Sequence, residues 1–156
     1  MHEGYVVRVE PFLQENEEIE AAENVVCVAT AVGVHARGVP GVPGVGLRVG
    51  SALGDRLGRV GAVKGEPDSI ARSIPHQRGG LVLGVTDRRV GLWSGPAMGQ
   101  AAELWSAPRE VVARVERRPR AQLLARFRLH FADGSTAAFM TPKRASIEHL
   151  ADLLGR

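Results

Sequence analysis

Leu124-Ala-Arg-Phe-Arg-Leu-His-Phe-Ala-Asp-Gly-Ser-Thr-Ala-Ala-Phe-Met-Thr141 reads as a single β-hairpin. Ala125, Phe127, Leu129 and Phe131 alternate with Arg126, Arg128 and His130, which puts apolar groups on one face of an extended strand and a basic stripe on the other. Ala132-Asp133-Gly134 follows as the turn, Asp-Gly being the strongest short-range hairpin signal in the chain. Residues 135–141 then return as the second strand. Just beyond, Thr141 and Pro142 are suited to cap and open a helix over 142–154, whose buried stripe is Ile147, Leu150, Ala151 and Leu154.

Upstream of this hairpin the same pattern recurs. Segments 81–85 and 89–93 flank the short turn Thr86-Asp87-Arg88, and segments 103–107 and 111–116 are separated by Pro108. Residues 24–32 supply a further apolar segment, and an acidic helix is expected before it over 11–23, with Phe12, Leu13 and Ile19 as its apolar contacts. The expectation is a mainly β fold: a seven-stranded barrel capped by a C-terminal helix, forming one domain over 1–156.

Between the first two strands lies a Gly/Pro-rich insert, 33–79. Gly38-Val-Pro-Gly-Val-Pro-Gly-Val-Gly46 favours turns over regular structure and reads as a tether. After it Gly46, Gly50, Gly54 and Gly58 recur every fourth residue, with Val49, Leu53, Leu57 and Val60 at the spacing of one helical face and Arg48, Asp55 and Arg59 opposite. Each interior glycine costs a helix about 1 kcal/mol relative to alanine, so such a helix needs a surface packed on its ridge. A loop is the other reading of the same residues.

The chain has 156 residues, 44% hydrophobic and 24% charged, enough for one hydrophobic core. Its single cysteine, Cys27, excludes an internal disulfide and sits in an apolar run, which suits a buried thiol in a reducing cytoplasm. No apolar run approaches the ~20 residues of a membrane span. The net charge of +3 conceals two opposed patches. Residues 1–23 hold seven glutamates against Arg8, while 109–128 hold seven arginines, including Arg114, Arg117, Arg118, Arg120, Arg126 and Arg128, against Glu110 and Glu116.

The order of strands and terminal helix resembles the pleckstrin-homology-like superfamily, and more closely its small bacterial members. The stretches that carry the likeness are Leu81-Val-Leu-Gly-Val-Thr-Asp-Arg-Arg-Val90 and Phe131-Ala-Asp-Gly-Ser135. The resemblance covers about residues 10–155, and similar bacterial proteins also carry a Gly/Ala-rich helix between their first two strands. In lipid-binding members, basic residues around those strands hold inositol phosphates. Here that connection is the long insert, with only Arg37 and Arg78 close to its ends, and a phosphoinositide motif is absent.

Motifs for chemistry are sparse. Gly44-Val-Gly46-Leu-Arg-Val-Gly50 has the spacing of a dinucleotide loop but neither the preceding strand nor a βαβ unit, so no cofactor is expected. The five histidines are scattered without ligand spacing, so no metal is expected either. His149 and Asp152 have no nucleophile nearby in sequence, and no catalytic constellation emerges. Leu92-Trp93-Ser94 and Leu104-Trp105-Ser106 repeat one tripeptide on consecutive strands. Alternation places Trp93 outward with Trp105 beside it as a partner platform, unless one or both enter the core.

The expectation is therefore a non-enzymatic interaction or adaptor module. Arg114, Arg117, Arg118, Arg120, Arg126 and Arg128, with Trp93 and Trp105, form its candidate surface, partly neutralised by the acidic N-terminal segment. Val49, Leu53, Leu57, Val60, Gly50 and Gly54 form the candidate contact of the insert, toward a protein partner or a second copy. The alternative is a cytoplasmic protein bound peripherally to an anionic membrane surface, its insert in the interface and Arg48, Arg56, Arg59 and Lys64 at the headgroups. Nucleic acid is disfavoured, since the basic stretch has little aromatic interleaving.

Overall fold

The computed structural model describes residues 3–28, 62–75, 80–95, 99–118 and 124–155. In chain order these form helix α1 (Glu3–Val9), a 3-10 turn (Glu10–Phe12), strand β1 (Ile19–Cys27), β2 (Val63–Lys64), helix α2 (Ile70–Ser73), β3 (Leu81–Thr86), β4 (Arg89–Ser94) and β5 (Glu103–Pro108). A second 3-10 turn (Arg109–Val111), β6 (Val112–Arg118), β7 (Ala125–Phe131), β8 (Thr136–Thr141) and helix α3 (Arg144–Leu154) complete them.

The hairpin of β7 and β8 pairs in the register the alternation requires, Phe127 opposite Phe139 and Leu129 opposite Ala137. The two phenyl rings stack with centroids 5.7 Å apart. Gly134 takes φ +79° in the turn, a conformation in which glycine carries no side-chain penalty. The remaining strands extend this pair into one antiparallel sheet of order β5-β4-β3-β1-β8-β7-β6, with β2 beside β8. The expected mainly β fold with a C-terminal helix is what forms. Two corrections apply: β2 is an eighth strand, and β5 and β6 end the order without pairing, so the sheet is open instead of closed into a barrel.

Strand β1 holds the sheet together. Its residues 19–25 pair with β3, and Val26 and Cys27 pair with Met140 and Phe139 of β8. Both its faces are buried: Ala21, Val25 and Cys27 enter the central core with Leu81, Leu83, Val85, Leu92, Phe127, Leu129 and Phe139, while Ala22 faces a second apolar layer.

That second layer is the N-terminal segment. Tyr5, Val6, Val9, Phe12 and Leu13 pack on Val82 and Trp93 over the outer face of β1, β3 and β4. Gly84 and Gly91 oppose each other across β3 and β4, and a Cβ on either would come within 2.6 Å of the Trp93 indole. The paired glycines form the slot in which the indole lies.

The expected acidic helix over 11–23 does not form; the helix lies earlier, at Glu3–Val9, and β1 starts at Ile19. The physical reason is that Glu17, Glu20 and Glu23 find partners on distant elements, which outweighs local propensity. Glu17, its side chain fully buried, accepts hydrogen bonds from Arg89 Nε (2.7 Å), the Thr86 hydroxyl (2.7 Å) and the Gln14 N–H (2.8 Å). Arg89 also donates to the Phe12 carbonyl (2.6 Å) and to Glu103 (2.9 Å), with its guanidinium carbon 5.8 Å from the Trp93 ring centroid. Burial pushes the Glu17 carboxyl up, but the bonds from Arg89, Gln14 and Thr86 outweigh it and hold the carboxyl at about 2, below its ordinary 4.5.

Helix α3 packs Ile147, Leu150 and Leu154 into the central core. It begins later than expected: Thr141 still belongs to β8, and Lys143 takes the N-cap position without a side-chain hydrogen bond. Gly155, at φ +96°, ends the helix and accepts the Val115 N–H of β6 at 3.0 Å.

Part of the 33–79 insert, read only as tether, ridge or loop, contains β2 and α2. Helix α2 brings Ala71 into the core, with Ile74 directly after it. Its cap comes from far away in sequence: Asp133 accepts the Ile70 N–H (2.8 Å) and the Ser135 hydroxyl accepts the Ala71 N–H (3.1 Å). The hydrogen bond from Ser135, above all, holds the Asp133 carboxyl below its ordinary range.

Two stability measurements test this arrangement. Leu150→Ala should cost about 2–5 kcal/mol in chemical denaturation, as for a buried leucine, whereas Glu148→Ala on the exposed side should change stability by less than about 0.5 kcal/mol. A folded-state carboxyl held low stabilises the protein above the unfolded value and loses that contribution as pH falls. Wild-type stability should therefore decline as pH drops from 4.5 toward about 2, and Glu17→Gln should flatten that decline while lowering stability at neutral pH.

Candidate interaction face

Alternation along β6, β7 and β8 sorts the predicted arginines. Val115, Ala125, Phe127, Leu129, Ala137 and Phe139 face the central core, so Arg114, Glu116 and Arg118 of β6 share the opposite face with Arg126, Arg128 and His130 of β7. Register then sets three rows across the strands. The first runs Lys64, Thr136, His130, Arg114; the second Ala138, Arg128, Glu116; the third Met140, Arg126, Arg118. Arg114 and Arg118 are exposed, Arg126, Arg128 and His130 half-buried. Ala138 and Met140 are buried in a small apolar cluster with Val28 and Ala62.

Glu116 is the acidic centre of this face. His130 Nε2 lies 2.7 Å from one carboxylate oxygen and Arg118 donates to the other at 2.9 Å; these two bonds, His130 first, hold the carboxyl below its ordinary range. The expected partial neutralisation by the N-terminal glutamates is met at one arginine of the 109–128 stretch, Arg109, which binds Glu20 at 2.6 Å. Glu17 is engaged by Arg89 and Glu23 by the Ser146 hydroxyl (2.6 Å), away from the β6–β7 face.

Arg117 departs from its neighbours. Its position puts it on the other side of β6, where it reaches Glu148 of α3 at 3.5 Å and lines an open cleft of about 430 Å³ with Val115, Ile147, Ala151 and Asp152. The cleft lining carries two carboxylates, Glu148 and Asp152, beside Arg117. Among the described residues no group of His, Cys, Asp and Glu converges as metal ligands would, and no helix is long and apolar enough to cross a membrane.

The tryptophan platform is corrected. Trp93 does point away from the central core, but the N-terminal layer covers it completely. Trp105 is not beside it: it pairs with Leu92, and a register shift between Leu92 and Trp93 sets Trp93 opposite Glu103. Trp105 instead packs against the central core, edge-on to Phe131 at 6.2 Å, and donates its indole N–H to the Ser73 hydroxyl at 3.0 Å. The repeated tripeptide sits at unequal registers, so its two indoles face opposite sides of the sheet.

Arg120 lies outside the described residues, as do Val49, Leu53, Leu57, Val60, Gly50 and Gly54 with Arg48, Arg56 and Arg59 of the insert. Lys64, grouped by sequence with the insert, joins the first row through β2, a two-residue strand that carries too little periodicity to be recognised from sequence. No protein-family model and no curated protein matches the chain.

Indole accessibility tests this placement. In Trp105→Phe the remaining emission, from Trp93, should be blue-shifted and resist acrylamide quenching; ready quenching would place Trp93 at the surface.

Proposed function

We propose that the chain is a non-enzymatic interaction module of pleckstrin-homology-like fold that docks an acidic protein segment on the outer face of β6 and β7. The fold reading is supported by the strand order, with β1 shared by both halves of an open antiparallel sheet, and by the C-terminal helix packed against the terminal strand β6. The function rests on one observation. Among the described residues, Lys64, Arg114, Arg118 and Arg126 occupy one face with the carboxylate of Glu116, while Glu17 and Glu20 of the acidic N-terminal segment are bound by Arg89 and Arg109. Arginine stays protonated at neutral pH and neither gives nor takes a proton there, so a face built from it holds an anion instead of transforming it.

A fluorescently labelled glutamate-rich peptide serves as the probe, with anisotropy as the readout. Binding should weaken as salt rises and fall about tenfold or more in Arg114→Glu/Arg118→Glu, since charge reversal opposes docking across such a face. Both side chains are exposed, so the variant should fold as the wild type does. Unchanged binding would overturn the reading. Lys64 on the same face as the arginines favours a second reading, a flat contact with anionic membrane. Salt-sensitive sedimentation with anionic but not neutral vesicles, without peptide binding, would put that reading first.

A further inference from the structure

We infer that the acidic segment docked by the β6–β7 face is the N-terminal turn of a second copy, so that the chain assembles head to tail. The inference rests on the docking role proposed for that face and names its partner. The turn runs from Glu10 to Glu18, between α1 and β1, and presents Glu10, Glu15 and Glu18 to solvent. Among the described residues none of these three carboxylates forms an ion pair. On the basic face the exposed Arg114 forms none either, and Arg118, four residues along the same strand, shares Glu116 with His130. One chain thus carries unbalanced charge of both signs on two separate surfaces.

The turn is held in shape before anything docks on it. Glu17 is buried against Arg89 while Glu15 and Glu18 on either side of it are exposed. Backbone bonds from Leu13 to the Glu10 carbonyl (3.2 Å) and from Glu17 to the Gln14 carbonyl (3.1 Å) tighten it, and Arg88 donates to the Asn16 carbonyl at 3.1 Å. Asn16 takes φ +59°, a left-handed conformation that asparagine tolerates better than most residues. A segment ordered in advance loses little freedom on binding, so charge complementarity is enough for a salt-sensitive contact.

The same geometry keeps the two surfaces of one copy apart. The Glu18 N–H donates to Asp87 at 3.0 Å, which fixes the turn beside the β3–β4 connection. Strands β1 and β8 lie between β3 and β7, three strand intervals or about 14 Å along the sheet. That exceeds the Debye length of about 10 Å at 0.1 M salt, so the attraction within one copy is largely screened. Two basic faces repel each other, which excludes a symmetric pairing of this surface. Contact between unlike surfaces of identical copies is heterologous and repeats until it closes as a ring or continues as a filament.

Sedimentation velocity of the full chain at low ionic strength, from micromolar to millimolar protein, should show concentration-dependent assembly that dissolves as salt rises. Glu15→Lys/Glu18→Lys and Arg114→Glu/Arg118→Glu should each weaken it about tenfold or more, because each sets like charge against like. All four positions are exposed. An equimolar mixture of the two double variants should assemble again, as should one chain carrying all four reversals, a rescue that a folding defect would not show. If a variant does not fold, the glutamate-rich peptide provides the second measure, since it should dissolve the wild-type assembly by competing for the basic face. A monomer across the whole range, assembly unchanged in both double variants, or no recovery on mixing them would overturn the inference. Peptide binding by a chain that stays monomeric overturns the second copy alone and leaves a foreign acidic segment as the occupant, whereas absence of both overturns the docking face as well.

Discussion

Strand β1 hydrogen-bonds to both halves of the sheet, to β3 through Ile19–Val25 and to β8 through Val26 and Cys27. A strand shared in this way must be apolar or fully paired on both faces, because each face lies against another layer. Most of its residues meet the condition, each differently: Ala21, Val25 and Cys27 join the central core, Ala22 is small enough to sit under the N-terminal layer, and Glu23 is buried against the Ser146 hydroxyl of α3, whereas Asn24 Oδ1 is the exception, buried without a hydrogen-bond partner. The N-terminal cover, the central core and the C-terminal helix therefore all meet on one strand.

The second consequence is electrostatic. Securing the N-terminal layer and β1 uses carboxylates, with Glu17 buried against Arg89 and Glu20 bound to Arg109, which also reaches the Leu153 carbonyl at the end of α3. A buried carboxylate is tolerated because its oxygens are satisfied, Glu17 by a guanidinium, a hydroxyl and a backbone N–H. Every glutamate engaged there is withdrawn from the β6–β8 side. The positive face is thus a by-product of how the opposite side of the molecule is held.

The Asp133-Gly134 turn couples the hairpin to the returning insert. Gly134 permits the turn geometry, while Asp133 and Ser135 cap α2 and seat Ala71 and Ile74 against the core. A short helix with only four residues has little stability of its own. Its place in the molecule is secured by a turn about sixty residues away in sequence, so the end of the insert is tied to the most regular hairpin in the chain.

Local pattern alone determined the strands from 81 onward, the Asp-Gly hairpin, the outward direction of Arg126, Arg128 and His130, and the apolar stripe Ile147, Leu150 and Leu154 of α3. Each follows from a period of two or of 3.6, or from a turn residue, and such signals act within a few residues. The tertiary structure decided what depends on distant partners: the early start of β1, the α2 cap, the cover over Trp93 and the opposite facing of Trp105. It also separated Arg117 from the other arginines and brought Lys64 and Thr136 into line with His130 and Arg114. The physical reason is that periodicity specifies which way a side chain points from its own strand, whereas pairing register and the charges on other elements decide what it meets there.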